Sequence, residues 1–316
     1  MKPSRVFIAS ILCIAILVCV VGASSAQTDY LIEVQEYTWD HFTLRILLVS
    51  QEEESWWDPK FINITTKAVG VWNDAFSDFA SKYSNFDYVS NLRLLPSVSS
   101  TSSPGFDVYI SWVEGPATED SDHVGLTRTY PDRRGIFVLS NISLSTQNRY
   151  ASLSDLDLQN IAQHEIGHAL GLLHSHHTQD IMYAKISTSF NIRSISTLDL
   201  YAVAKIFGWM SVSPQFSPAN QDILPSSISL PSEINYEYLE ISEENLPPPS
   251  FFDPIADPIR RLLSAFFDYV LVPRNFLLFV LIVFALIVAM IMYRILRPQK
   301  VPENASSNGA EEMQVN

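Results

Sequence analysis

The sequence predicts an α+β domain set between two membrane-directed ends. Three observations carry that expectation. Between residues 42 and 208 the apolar pattern alternates between strand and helix periods, in the order strand, helix, strands, helix, loop, helix. Inside this stretch a histidine-rich run, H-E-I-G-H-A-L-G-L-L-H, extends from His164 to His174. Residues 276–293 carry no charged side chain, and a Pro/Ser-rich acidic segment precedes them.

The elements follow in order. Residues 1–26 begin with Lys2 and Arg5, continue as an apolar run over 6–21 and end in small residues, which is the pattern of a signal peptide cut after Ala26. Both cysteines, Cys13 and Cys19, lie within it, so the mature chain is expected to have neither thiol nor disulfide. Bulky Leu17 and Val18 ahead of Cys19 argue against a lipid-anchored cysteine. The mature domain is expected over 27–212. Residues 42–49 read as its first strand and 59–82 as its first helix, with Ala68, Val69, Trp72, Ala75, Phe76 and Phe79 on the buried face. Residues 91–95 and 107–112 read as strands, 111–125 as an acid-rich loop, and 124–129 and 136–139 as short strands around a turn. Ser154, with Asp157 three residues on, caps the next helix, and Thr197 caps the last, with Asp199 in its first turn.

Beyond the domain, residues 213–274 are expected to form a stalk ending in an amphipathic helix. The part over 211–249 has no helical period and reads as extended. Ile259, Leu262, Leu263, Phe266, Phe267 and Val270 then recur at helical spacing, which suits either a helix on the bilayer surface or one packed on the domain. The uncharged run 276–293, within a span assigned to 275–293, would cover about 27 Å as a helix, enough to cross the hydrocarbon core. Residues 294–316 would be a polar cytoplasmic tail. Arg260, Arg261 and Arg274 before the span nearly balance Arg294, Arg297 and Lys300 after it, so the exported first segment decides the orientation. The expected location is the cell membrane, single-pass, with the domain extracellular.

The histidine run points to a metal. His164 and His168 are four residues apart and share one face of a helix. Glu165 lies between them, placed to reach a water on that metal. Gly171 permits the chain to turn back, because glycine takes positive φ at little cost. The turn brings His174 in as the third ligand. His176 and His177 are alternatives to it, and the spacing from Gly171 favours His174. Three imidazoles leave one coordination position of zinc open, as in a catalytic site.

These residues, with Asp180-Ile181-Met182-Tyr183 after them, resemble the metzincin metalloproteases, which carry H-E-x-x-H-x-x-G-x-x-H followed by a Met-containing turn. Ser175 after the third His and Tyr183 after Met182 resemble the matrixin branch. So do Trp39 with the run to Val49, the helix around 68–79, the strand at 107–110 and the segment 198–208; together the resemblance covers 38–210. It implies a twisted mixed sheet, three main helices and a Met-turn with Met182 beneath the ligands. It also implies one catalytic zinc, Glu165 as general base, and protein or peptide substrates lying antiparallel along strand 124–129. The structural zinc of matrixins is not implied, since only His123 stands in the corresponding segment. Calcium held by Glu119, Asp120 and Asp122 is open beside a plain solvated acidic loop.

No cysteine is available to cap the zinc, so latency by a propeptide thiol is excluded. A net charge of −14 argues against nucleic acid as partner. Two other classes stay open: a zinc-binding adhesion or receptor ectodomain without activity, and a metal-dependent hydrolase of non-peptide bonds. Intact Glu165 and ligands count against the first.

Overall fold

The chain enters its fold through a short strand, Leu31–Val34 (β1), in which Ile32 and Val34 are buried and Glu33 between them is exposed. The computed structural model describes residues 30–117, 123–148, 152–184, 193–221 and 223–245, all within the unit Ser25–Ile255. After β1 come Thr43–Val49 (β2), the helix Lys60–Lys82 (α1), a 3-10 turn over Ser84–Asn91, Arg93–Ser99 (β3), Val108–Val113 (β4), Gly125–Pro131 (β5) and Phe137–Ser145 (β6). The helix Asp155–Ala169 (α2), Leu172–Ser175 (β7), the helix Thr197–Ile206 (α3) and Ser227–Ser229 (β8) complete the elements used below.

Among the described residues the strands form two sheets. The larger has the order β3-β2-β4-β6-β5; its pairs are parallel except β5 with β6, which are antiparallel. The smaller is antiparallel, in the order β7-β1-β8. The mixed sheet and the three α-helices among the described residues agree with the expected α+β class. Helix α1 buries the face expected of it, Ala68, Val69, Trp72, Ala75, Phe76 and Phe79, and adds Phe61, Ile64 and Val71. It packs against α2, and the Trp72 indole N–H donates to the Gln163 carbonyl at 3.0 Å. Trp39, Trp72, Trp112 and Trp209 are all fully buried. Burying a large apolar side chain contributes about 1.5–3 kcal/mol as an upper estimate, so these four anchor much of the core.

Several boundaries differ from the sequence expectation, each for a physical reason. Strand β3 runs to Ser99 because it pairs in parallel with all of β2. Pro96 is tolerated there because β3 is an edge strand. Strand β6 extends to Ser145 because β4 and β5 pair on its two sides, although S-N-I-S-L-S reads as loop composition. The cap of α3 is Ser196, not Thr197. Ser196 Oγ accepts from the Asp199 N–H, and the Asp199 carboxylate accepts from the Ser196 N–H, a reciprocal box that requires three-residue spacing.

The largest correction concerns the stalk. Strand β8 adds to the free side of β1, and Leu224, Ile228 and Ile234 are buried. The Thr197 N–H donates to the Glu237 carbonyl at 2.9 Å, the Leu239 N–H donates to the Ile195 carbonyl at 3.0 Å, and Tyr236 stacks on Tyr30 at 4.1 Å. Residues 223–245 are therefore part of the folded domain, not a free spacer. They show no period because each turn supplies a single anchor, and β8 covers an otherwise unpaired strand edge.

Among the described residues no helix is long and apolar enough to cross a membrane. The signal segment 1–26, Glu119, Asp120 and Asp122, the amphipathic stretch from Ile259 to Val270, the span 276–293 and the tail 294–316 lie outside the described residues.

Candidate active site

Helix α2 starts from a capping box at the predicted position. Ser154 Oγ accepts from the Asp157 N–H at 3.1 Å, and the Asp157 carboxylate accepts from the Ser154 N–H at 3.2 Å. Asp155 and Asp157 in the first turn suit the positive end of the helix dipole. The two indole donors Trp39 and Trp72 hold its far half, since Trp39 Nε1 donates to the Ala169 carbonyl at 2.9 Å. The face between these anchors carries His164, Glu165 and His168.

The three histidines converge. One ring nitrogen from each of His164, His168 and His174 lies within 4.8 Å of the others. The ring centroids are 4.6, 5.1 and 5.5 Å apart. His164 Nδ1 is 2.7 Å from the Ile181 carbonyl and His168 Nδ1 is 2.8 Å from the Leu172 carbonyl. A carbonyl only accepts, so each Nδ1 carries the proton and each Nε2 keeps a lone pair. Burial keeps these rings neutral, moving His164 down to about 3 and His168 to about 4. His174, half-buried, is also lowered, first by burial. Neutral imidazoles with oriented Nε2 atoms are the donors zinc requires, so the residues present fit that metal.

His174 owes its place to Gly171 and to β1. Gly171 has φ of +101°, where an added Cβ would be strained. Its N–H donates to the His168 carbonyl at 3.0 Å, and its carbonyl accepts from the Gln35 N–H at 2.8 Å. Strand β7 then carries His174 alongside β1. His176 and His177 do not join the cluster. His176 Nε2 faces Glu33 at 3.5 Å, and His177 packs on Tyr30 and Tyr236, with Nδ1 3.1 Å from the Tyr236 hydroxyl.

Met182 is fully buried beneath the ligands. An added Cβ on Gly167, between the two helical histidines, would overlap Met182 Sδ and lie 3.3 Å from Trp72 Cζ2. The turn carrying Met182 is pinned by the Ser175 N–H, which donates to the Met182 carbonyl at 2.8 Å. Below it lies a polar cluster that the sequence did not reveal. Ser196 Oγ is 2.9 Å from Asp199 Oδ2 and 3.2 Å from Asp180 Oδ2, and Ser175 Oγ is 3.2 Å from the same Asp180 oxygen.

Glu165 is buried, and burial pushes its carboxyl up to about 7 against the opposing pull of a Thr127 hydrogen bond. Thr127 Oγ1 lies 2.6 Å from Glu165 Oε2 and 3.0 Å from the Glu165 carbonyl. Thr127 sits on β5, the sheet edge that faces α2. Two residues further, Thr129 Oγ1 donates at 2.8 Å to Gln35 Oε1, and Gln35 Nε2 donates at 3.3 Å to the His168 carbonyl. The three histidines His164, His168 and His174 thus converge, and Glu165 follows His164 on the same helix. Thr127 and Gln35 were missed, although the period of two along β5 put Thr127 and Thr129 on one face.

Two helical histidines, a third from the following turn, a buried carboxylate and an edge strand give a site similar to that of the metzincin metalloproteases. Residues 63–208 match the family model described as Matrixin, and His164, His168 and His174, which could hold a metal ion, fall inside that match. No curated protein matches the chain.

Proposed function

We propose that the protein is a zinc-dependent endopeptidase tethered to the outer face of the cell membrane. The observation that carries the catalytic part is the convergence of three imidazoles, two of them oriented by backbone carbonyls, on a helix that also carries a buried carboxylate. A bound zinc would supply a Lewis acid for the scissile carbonyl and lower the pKa of a water. His164, His168 and His174 would hold it through their remaining ring nitrogens. Glu165 accepts the proton of the attacking water and returns it to the leaving amine nitrogen as the C–N bond breaks. The products are one carboxylate and one amine. An extended substrate adds to the free edge of β5, antiparallel to it.

The tether rests on sequence. The apolar run over 6–21 exports the domain, and the uncharged run 276–293 retains it. Because residues up to Asn245 pack on the domain, the spacer is shorter than its composition suggests. Substrates held in the same membrane would meet the site at raised effective concentration.

The test is digestion of a peptide library by the full chain in detergent, with and without a zinc chelator. Chelator-sensitive internal cleavage supports the reading. Zinc binding without any cleavage favours an inactive ectodomain, and hydrolysis confined to non-peptide esters or amides points to another hydrolase. For the topology, protease added to intact cells should destroy the domain and spare the segment after Arg297.

A further inference from the structure

Strand β5 does more than border the site. Its inward-facing residues Gly125 and Thr127 are two apart and so lie on the same side of the strand. Both meet the carboxylate of Glu165. A Cβ on Gly125 would overlap Glu165 Oε1 and come within 2.7 Å of its Cγ and 2.8 Å of its Cδ, so only glycine leaves room for the side chain as it lies. Thr127 Oγ1 then approaches Oε2 at 2.6 Å, a short distance typical of a hydroxyl donating to a carboxylate. The Glu165 backbone carbonyl is a second acceptor, 3.0 Å from the same hydroxyl. With one proton to donate, the hydroxyl gives it to the nearer oxygen, Oε2, and its position over the Glu165 carbonyl sets the side chain relative to its own helix turn. It takes Oε2 and leaves Oε1 as the oxygen not engaged by Thr127.

We infer that Thr127 is the positioning residue for Glu165, acting in a slot that Gly125 keeps open. The inference rests on the endopeptidase reading for its kinetic consequence but not for the contact itself. A carboxylate released from this slot would spend less time where it can accept a proton from water. A misplacement of this kind costs roughly 10- to 100-fold in rate while leaving substrate binding alone. Because β5 is also the strand along which a substrate would lie, the slot fixes the distance between the bound peptide and the base. A substrate strand displaced along β5 would then meet a base that does not move with it.

The test has two arms on the full chain in detergent. In the first, Thr127→Val and Glu165→Ala are made singly and together, and thermal melts are recorded with metal removed. A coupled pair gives a double variant whose melting point is higher than the sum of the two single losses implies. Strict additivity overturns the inference, and this arm needs no activity. In the second, cleavage of a fluorogenic peptide is followed with zinc bound. Thr127→Val should lower kcat by about 10- to 100-fold with KM within roughly twofold. Thr127→Ser, which keeps the hydroxyl, should recover most of kcat. Equal kcat in the Val variant and wild type, or a Ser variant as poor as the Val variant, would overturn it. Should Thr127→Val fail to fold, Thr127→Ala replaces it with the same expectation. A wild-type chain that cleaves no peptide would sink the endopeptidase reading instead, and the melting arm would still decide whether Thr127 holds Glu165.

Discussion

Gln159 on helix α2 donates through Nε2 to the backbone carbonyl of Asn245 at 2.7 Å, joining the helix of the metal ligands to a residue 86 positions later. Asn245 in turn donates from Nδ2 to Asp74 on α1 at 2.7 Å, and Ser242 Oγ donates to the same carboxylate at 2.9 Å. The segment after α3 therefore clasps both helices of the site. A chain ending at Val212 would lose buried Leu224, Ile228 and Ile234, worth roughly 1.5–3 kcal/mol each. That sum approaches the whole stability of an ordinary domain. Circular-dichroism melts should show a cooperative transition for residues 27–255 and none for 27–212; equal melting points would show the clasp to be ornamental.

The turn at Gly171 couples backbone conformation to the placement of His174. Gly171→Ala places a side chain at φ of +101° and 3.2 Å from Ile206 Cδ1. The expected loss is about 1–2 kcal/mol of stability from the left-handed backbone. Zinc affinity should fall as well, because His174 follows three residues on. Competition with a fluorescent chelator measures this, and an unchanged affinity would separate the turn from the ligand.

Beneath Met182, Asp199 is fully buried, with Ser196 Oγ between it and Asp180. Burial first, and then the charge of Asp180, raise its carboxyl well above the ordinary value. In the unfolded chain the same group ionises near pH 4, so stability is lost as pH rises from there toward the folded value. Asp199→Asn keeps the neutral shape. Its melting point should depend less on pH between 5 and 8 and should equal or exceed wild type at pH 8. A drop of several kcal/mol at pH 8 would mean that the carboxylate is ionised in the folded protein.

A second pH effect arises at His41 and Asp107. His41 Nδ1 is 2.7 Å from Asp40 and Nε2 is 3.3 Å from Asp107, and the bond to Asp107 is the main cause of its raised pKa. For Asp107, burial pushes the pKa up, but His41 and the Arg45 N–H outweigh it and leave it lowered. The His41 contribution is complete below about pH 6.5 and is lost as pH rises through its raised value; the Asp107 contribution is complete above about pH 4 and is lost in stronger acid. With both side chains partly exposed, screening leaves roughly 0.5 kcal/mol, about 1–2 °C in Tm. Asp107→Asn should remove that decline above pH 6.5, and a variant with the wild-type profile would assign it to another group.

Local signals and distant contacts divide what the sequence disclosed from what it hid. The spacing of His164, His168, Gly171 and His174 was readable because helical geometry and one positive φ fix it within a single short run. The Ser154–Asp157 box was readable for the same reason. The cap at Ser196 was misread by one residue, since Ser196 and Thr197 are adjacent and only the three-residue distance to Asp199 distinguishes them. Strands β1 and β8 were invisible because four and three residues carry little period of their own and are held by pairing across the molecule. Thr127 was unremarkable in sequence because its partner Glu165 lies 38 residues away.

The central claim is that Glu165 acts as the base beside a zinc held by three histidines. It is tested most directly by Glu165→Gln in the full chain, with metal content and peptide cleavage measured on the same sample. Gln keeps the shape and loses the proton acceptor, so zinc should remain at one per chain while cleavage falls by about 10²–10⁴-fold. A Gln variant that cleaves at the wild-type rate with zinc bound would contradict the account.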